Sequence, residues 1–237
     1  GVSNNLKVVS LEHKMGLHGS PTAVMQYEGA TGWIIGEPND GLRAMFTMMN
    51  NARLGVGGQG IGVAEAAFQH STEYALNRKQ GKSTIQNKHG TIIDHADVRR
   101  MLISMRADIF ASRSIELENA KAIDMANATE EPEWINKAAF LTPITKVFGT
   151  EIGINISNLG VQIHGGMGFI EETGAAQFSR DVRVTAIYEG TNGIQAMDLV
   201  GRKMMDNGET AYAIVNQIKE YIDNLPGVKK DLSGLLE

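Results

Sequence analysis

Hydrophobic positions recur with two different periods along this 237-residue chain. From Leu6 to Leu11 apolar and polar residues alternate, and Thr22 to Tyr27 has a similar make-up. Thr31 to Ile35 follows a Glu28-Gly29-Ala30 turn. Side chains on a strand point alternately to its two faces, so this opening predicts short strands, with a hairpin joining the second and third. Gly36-Glu37-Pro38-Asn39-Asp40-Gly41 closes the segment. So few strands make no independent sheet, and residues 1–41 read as the C-terminal part of a β domain whose other strands lie upstream. The absence of an initiating Met suits a piece of a longer chain.

At Leu42 the period changes to that of a helix. Leu42, Met45, Phe46 and Met49, then Ile61, Ala64, Ala67, Phe68 and Tyr74, predict one long helix to about Arg78. Gly55, Gly57, Gly58, Gly60 and Gly62 fall inside it, and each costs about 1 kcal/mol relative to Ala in a helix interior. Two readings fit: another helix packs closely there, or a ligand lies on the backbone. A polar connection from Lys79 to Gly90 leads to a second helix from about Asp94 to Ala128, with Asp94 expected as its N-cap and Asp97 in its first turn. The Thr129–Pro132 loop ends it. A third helix spans about Glu133 to Gln162 with Pro143 expected to kink it, a fourth follows Thr191, and Ala211 to Asn224 forms the last. Long helices joined by short loops predict a helical bundle over residues 42–237.

Composition narrows the function classes. The formal net charge is −5 and basic residues cluster only as Arg99-Arg100 and Lys229-Lys230, which argues against a nucleic-acid surface. Cysteine is absent, so disulfides, thiolate catalysis and Cys-ligated metals are excluded, consistent with a cytoplasmic location. No apolar run reaches the roughly 18 residues of a membrane span. The six histidines show no metal-ligand spacing, and His164 reads as a packing or hydrogen-bonding residue. The methionines lie mostly at helical apolar positions, as core filler.

The densest chemistry lies between Val161 and Leu199. A glycine cluster (Gly165, Gly166, Gly168) is followed by Arg180-Asp181-x-Arg183, which reads as an ion-pair network orienting the next segment. Glu189 then ends an apolar stretch just before Gly190-Thr191-Asn192-Gly193. A carboxylate held where a buried segment meets a backbone-exposing turn is well placed for general-base work.

Two segments, Gln162…Gly165-Gly166-Met167-Gly168-Phe169 and Ile187-Tyr188-Glu189-Gly190-Thr191-Asn192-Gly193-Ile194-Gln195, resemble the flavin-facing and catalytic motifs of the acyl-CoA dehydrogenase family. Lys14–Thr22 and Gly32–Gly36 resemble the back half of that family's central β domain, and Leu42–Asn77 the first helix of its C-terminal bundle. The resemblance implies a mainly α fold: a C-terminal domain of the four-helix-bundle type, preceded by the tail of a β domain. It also implies FAD-dependent α,β-dehydrogenation of an acyl-CoA thioester in fatty acid metabolism.

Glu189 would then take the α-proton while hydride passes to flavin N5. The alternative base position of some relatives is Ala52 here, which cannot accept a proton. By the same resemblance Asn50, Arg53, Tyr188 and Gly190 face the substrate. Arg78, Gln162, Gly165, Gly166, Thr191 and Gly193 face FAD, with Arg78, Gln162, Gly165 and Gly166 reaching a neighbouring subunit's cofactor. Family members continue Arg-x-x-Phe-Gly, whereas this chain reads Arg78-Lys79-Gln80-Gly81. An electron-transfer flavoprotein as acceptor and a homodimer or homotetramer are further implications. An acyl-CoA oxidase or flavin monooxygenase on the same fold, and a non-catalytic helical oligomerisation module, are the alternatives.

Overall fold

The computed structural model describes residues 3–83, 85 and 90–224. Strands β1 (Leu6–Leu11) and β2 (Ala23–Tyr27) pair antiparallel. Helices follow: α1 (Gly41–Asn77), α2 (Ala96–Thr129), α3 (Pro132–His164), α4 (Ala175–Val182), α5 (Asn192–Asp198) and α6 (Glu209–Asp223). The expected architecture, mainly α after a short β segment, is the one observed. The three long helices form its body, while short α4, α5 and α6 pack against α3 in place of one long fourth helix.

Only Glu130 and Glu131 connect α2 to α3. Glu130 turns the chain in the left-handed region at φ 57°, and Pro132 starts α3 at a position where its missing N–H has no intrahelical partner to lose. So short a link makes the two helices antiparallel. Helices α1 and α3 run parallel instead. Gly57 faces Thr145, Gly60 faces Gly149 and Thr150, and Tyr74 stacks on His164, so the two chains advance together.

That crossing explains part of the glycine run. A Cβ on Gly60 would lie 2.3 Å from the Gly149 carbonyl oxygen, and one on Gly149 would lie 2.6 Å from that of Gly57. Gly153 is equally tight against Gly60, at 2.7 Å. Gly58 faces the Glu116 carboxylate of α2, whereas a Cβ on Gly55 or Gly62 meets nothing within 4 Å. Close packing therefore accounts for Gly57 and Gly60, and the outward pair stays open to an approaching group. Ala64, Ala67, Met105, Ile109, Ile152, Ile156 and Ile163 continue the core toward the far end of the bundle. Each large side chain among them contributes about 1.5–3 kcal/mol by leaving water. Pro143 sits buried inside α3 without ending it.

Two local expectations are corrected. Residues 31–35 form no strand, and the hairpin joins β1 to β2. The Asn4 side chain takes the place of a paired strand at Thr31: its Oδ1 accepts the Thr31 N–H at 2.8 Å and its Nδ2 donates to the Thr31 carbonyl at 2.8 Å. Beyond that, Trp33, Ile34 and Ile35 stand exposed with no strand beside them among the described residues. Asp94 is not the N-cap of α2. It ends a 3-10 turn (Ile92–Asp94), His95 occupies the cap without a side-chain bond, and Asp97 lies in the first turn as expected.

The crossing yields a paired test. Gly60→Ala should destabilise the protein by about 1–3 kcal/mol, because the new methyl meets backbone that cannot swing aside. Gly62→Ala should be neutral or stabilising by up to about 1 kcal/mol, since only helix propensity changes. Urea unfolding of the two variants beside the parent checks both.

Candidate active site and cofactor cleft

Glu189 follows a 3-10 turn (Arg183–Ala186) and precedes α5. Its backbone lies in the left-handed region, φ 54°, and Gly190 continues there at φ 86°. A non-glycine residue held in this way marks a segment that its surroundings over-determine. Four side chains do so. Gln195, fully buried, donates from Nε2 to the carbonyls of Glu189 (3.4 Å) and Gly190 (3.3 Å). Thr191 caps α5 by accepting the Ile194 N–H at 3.3 Å. Tyr188 donates its hydroxyl to Gln59 of α1, and burial pushes its phenol upward while that bond opposes the shift. Asn192 is held from α3, as described next. A Cβ on Gly190 would lie 2.7 Å from the Gln195 amide, so only glycine fits there.

Two cations lie beneath this turn. Arg53 of α1 is 7% exposed, and its Nη1 reaches Asp198 Oδ2 at 3.4 Å and Asn50 Oδ1 at 3.3 Å. Arg202 joins Asp198 from outside at 3.3 Å. Arg53 is thus tied to α5, with its other terminal nitrogen 3.7 Å from where a Gly190 Cβ would stand. The second cation, Lys146 of α3, is 0% exposed, and its Nζ donates to Asn192 Oδ1 at 2.8 Å. The Asn192 amide nitrogen in turn donates to Glu151 at 2.7 Å. Burial and the Arg53 charge push the Lys146 ammonium down to about 8 from its usual 10.5, with Glu151 and Glu189 opposing.

A separate cleft of about 640 Å³ opens at the other end of α1 and α3, lined by Tyr74, Arg78, Gln80, His95, Gln162, His164, Gly165 and Gly166 among others. Gly165 has φ 59°, and neither it nor Gly166 would bring a Cβ near any atom within 4 Å. Gly168 differs: its Cβ would strike the Val161 carbonyl at 2.3 Å, so it serves the turn itself. His164 is buried between the Tyr74 and His70 rings, with centroids at 4.2 and 4.8 Å. Its Nδ1–H donates to the Gly160 carbonyl at 2.7 Å, which leaves a buried Nε2 without a partner. Burial pushes this imidazole below its ordinary value. The shortened Arg78–Gly81 segment closes neatly, since Arg78 O accepts from Ile92 and Gln80 N–H donates to Gly90 O. Arg78 is thereby fixed at the rim.

The residues singled out in the sequence fall into two groups. Asn50, Arg53, Tyr188, Glu189, Gly190, Thr191 and Gly193 gather around the Glu189 turn, and Arg78, Gln162, Gly165 and Gly166 share the cleft. The Arg180-Asp181-Arg183 network is not formed. Arg180 makes a bidentate pair with Glu171 at 2.6 and 2.8 Å, and Asp181 accepts the Leu17 N–H at 2.7 Å, which fastens the β segment onto α4. Sequence reasoning passed over Lys146 and Asp198, and gave Asn192 and Gln195 no role of their own within the motif. Lys146 did leave a signal, being a charge within the small and apolar stripe Thr142, Thr145, Gly149, Gly153 that α3 buries.

The depressed lysine gives a pH signature. The unfolded chain keeps this proton up to about 10.5 and the folded one releases it near 8, so unfolding takes up a proton between those values. Stability attributable to this group therefore rises with pH across that window. The unfolding free energy of the parent relative to Lys146→Met should increase from pH 8 to pH 10, by chemical denaturation at each pH.

Comparison with known proteins agrees with the geometry. Residues 39–205 match the family model for the acyl-CoA dehydrogenase C-terminal domain. The chain is 49% identical over 221 residues to 3-methylmercaptopropionyl-CoA dehydrogenase of Ruegeria pomeroyi, covering 91% of this chain and 38% of that protein. It is 34% identical over 239 residues to a butyryl-CoA dehydrogenase of Syntrophomonas wolfei, covering 94% and 39%. Among solved structures, butyryl-CoA dehydrogenase from Megasphaera elsdenii superposes with a TM-score of 0.70 at 27% identity, over 83% of this chain and 48% of that one. An acyl-CoA dehydrogenase complexed with FAD from Bacillus anthracis gives 0.77 at 26%, over 93% and 40%. The chain spans about two-fifths of the length of the curated relatives it matches. It belongs to the acyl-CoA dehydrogenase family.

Proposed function

We propose that the protein containing this chain catalyses FAD-dependent α,β-dehydrogenation of an acyl-CoA thioester, with Glu189 as the base. The observation that carries the reading is the grip on the Glu189 turn, where side chains from α1, α3 and α5 hold one carboxylate in a left-handed backbone while leaving it no hydrogen-bond partner of its own among the described residues. A carboxylate so presented can take a proton from a bound substrate. Its own N–H would then serve as a donor to the thioester carbonyl as negative charge develops. FAD supplies the oxidising power when bound, accepting the hydride lost from the β-carbon.

The cleft fits such a cofactor on structural grounds. It offers Arg78, an unpartnered buried His164 Nε2 and two glycines whose backbone is open to close approach. Arg78, Gln162, Gly165 and Gly166 would hold part of it. The Glu189 turn, beside Arg53, and the cleft, beside Arg78, stand about 37 Å apart along the helix axis at 1.5 Å per residue, too far for one bound dinucleotide to span. Each copy would therefore present its base turn to one cofactor and its cleft to a neighbour's, which requires at least a homodimer. Residues 1–41 would belong to the β domain and 42–237 to the helical bundle; of these, 1–2, 84, 86–89 and 225–237 lie outside the described residues. By analogy with the relatives named above the substrate would be a short acyl-CoA, with 3-methylmercaptopropionyl-CoA and butyryl-CoA the first to try. An electron-transfer flavoprotein would be the acceptor.

The test is anaerobic bleaching of the flavin absorbance in the full-length protein. Glu189→Gln should slow bleaching by about 10²–10⁴-fold, the usual contribution of a positioned base. Bleaching at the parental rate would remove Glu189 from the mechanism. Arg78→Ala should lower FAD retention on gel filtration while leaving the helical circular dichroism unchanged. If the full-length protein retained no flavin, the non-catalytic module would be the better reading.

A further inference from the structure

The base turn is anchored to the bundle at a point that the proposed chemistry does not use. Lys146 has its whole side chain buried in α3, and its ammonium meets no carboxylate within hydrogen-bond distance among the described residues. A buried ammonium without a paired anion is unfavourable by several kcal/mol, and packing alone would be served better by Met or Leu. Its hydrogen bond goes to Asn192, the first residue of α5 and the third after Glu189. The charged groups that act on it are Arg53 from α1, Glu151 from its own helix and Glu189 from the turn. Lys146 therefore touches the turn through Asn192.

We propose that Lys146 is a positioning residue for Glu189: its ammonium clamps the start of α5 through Asn192. The inference rests on Glu189 being the base. Loss of the clamp lets a left-handed turn relax, and displacement of a reacting group by about 1 Å can lower a rate by about 10²-fold. The ammonium bonds Asn192 and not the carboxylate of the turn, so it acts through α5.

The experiment compares Lys146→Gln, Asn192→Ala and Glu189→Gln in the full-length holoenzyme, reading kcat and KM separately. Lys146→Gln should lower kcat at neutral pH by about tenfold or more, with little change in KM. Asn192→Ala should lower kcat in the same way, again with KM nearly unchanged. A kcat within twofold of the parent in Asn192→Ala overturns the clamp, and so does a loss that appears in KM instead of kcat. Should Lys146→Gln fail to fold, Asn192→Ala alone decides the clamp. If Glu189→Gln keeps parental activity, the assignment of the base has failed. If it is inactive while Lys146→Gln behaves as the parent does, only the role of Lys146 has failed.

Discussion

Backbone-to-backbone contact between α1 and α3 is the constraint from which the rest of the structure follows. Gly57 and Gly60 meet Gly149 and Gly153 at distances no side chain allows, so the two parallel helices are fixed in depth and in register. Register matters because the level of Gly57 is flanked by two charged residues. Arg53 lies one turn before Gly57 on α1, and Lys146 lies one residue after Thr145, which Gly57 faces. Locking the helices together therefore brings two cations to the same buried level. Neither would be stable there alone. Asp198 answers Arg53, and Asn192 with the nearby Glu151 and Glu189 answers Lys146. All four lie on or beside α5 and the turn before it, except Glu151, which reaches Asn192 from α3. Docking of the base segment is thus the compensation for a charged level that the glycine crossing creates.

The same rigid pair of helices carries the second cluster at its far end. Tyr74 and His164 close the crossing by stacking, and the chain leaves both helices at once, through Arg78 on one and Gly165 on the other. A cleft between two helix ends keeps its shape only if the helices cannot slide. The interlocked glycines some four turns away supply that. The Glu189 turn and the cleft are therefore mechanically coupled through the same pair of helices.

How much of this was legible in the sequence depended on whether a residue's neighbours were local. Helix boundaries at Gly41, Asn77, Thr129 and Pro132 follow from periodicity, Gly and Pro, and they were placed within a residue or two. The turn at Glu189–Thr191 could be singled out because its motif is continuous in sequence. The strand expected at residues 31–35 failed because a strand needs a partner, and here an Asn4 amide takes up the backbone of Thr31. The arginine–aspartate run misled for a related reason. Adjacent opposite charges suggest mutual pairing, yet a short helix points them to different faces, and Glu171 and the Leu17 N–H were not visible as partners. Asp198 was missed, and Gln195 given no role of its own, because nothing local distinguishes a buried glutamine or aspartate from an exposed one.

Lys146 sharpens that point about burial. An apolar residue at its place would stabilise the bundle more, and the fold would still form from the glycine crossing and the Ile152–Ile156–Ile163 core. What an apolar residue could not do is hold Asn192 from below. Gln195 reaches the turn only with long bonds of 3.3 and 3.4 Å to its carbonyls, whereas the Lys146–Asn192 contact is 2.8 Å and charge-assisted. One of the two charge-assisted bonds that hold Asn192 is thus made by the least favourably buried residue in α3. A left-handed glutamate costs on the order of 1–3 kcal/mol to maintain, and it persists only where its flanks are fixed more firmly than that. Thr191 fixes the flank within α5, and Lys146 fixes α5 to the bundle. Stability given up at the ammonium is recovered as a defined direction for the carboxylate.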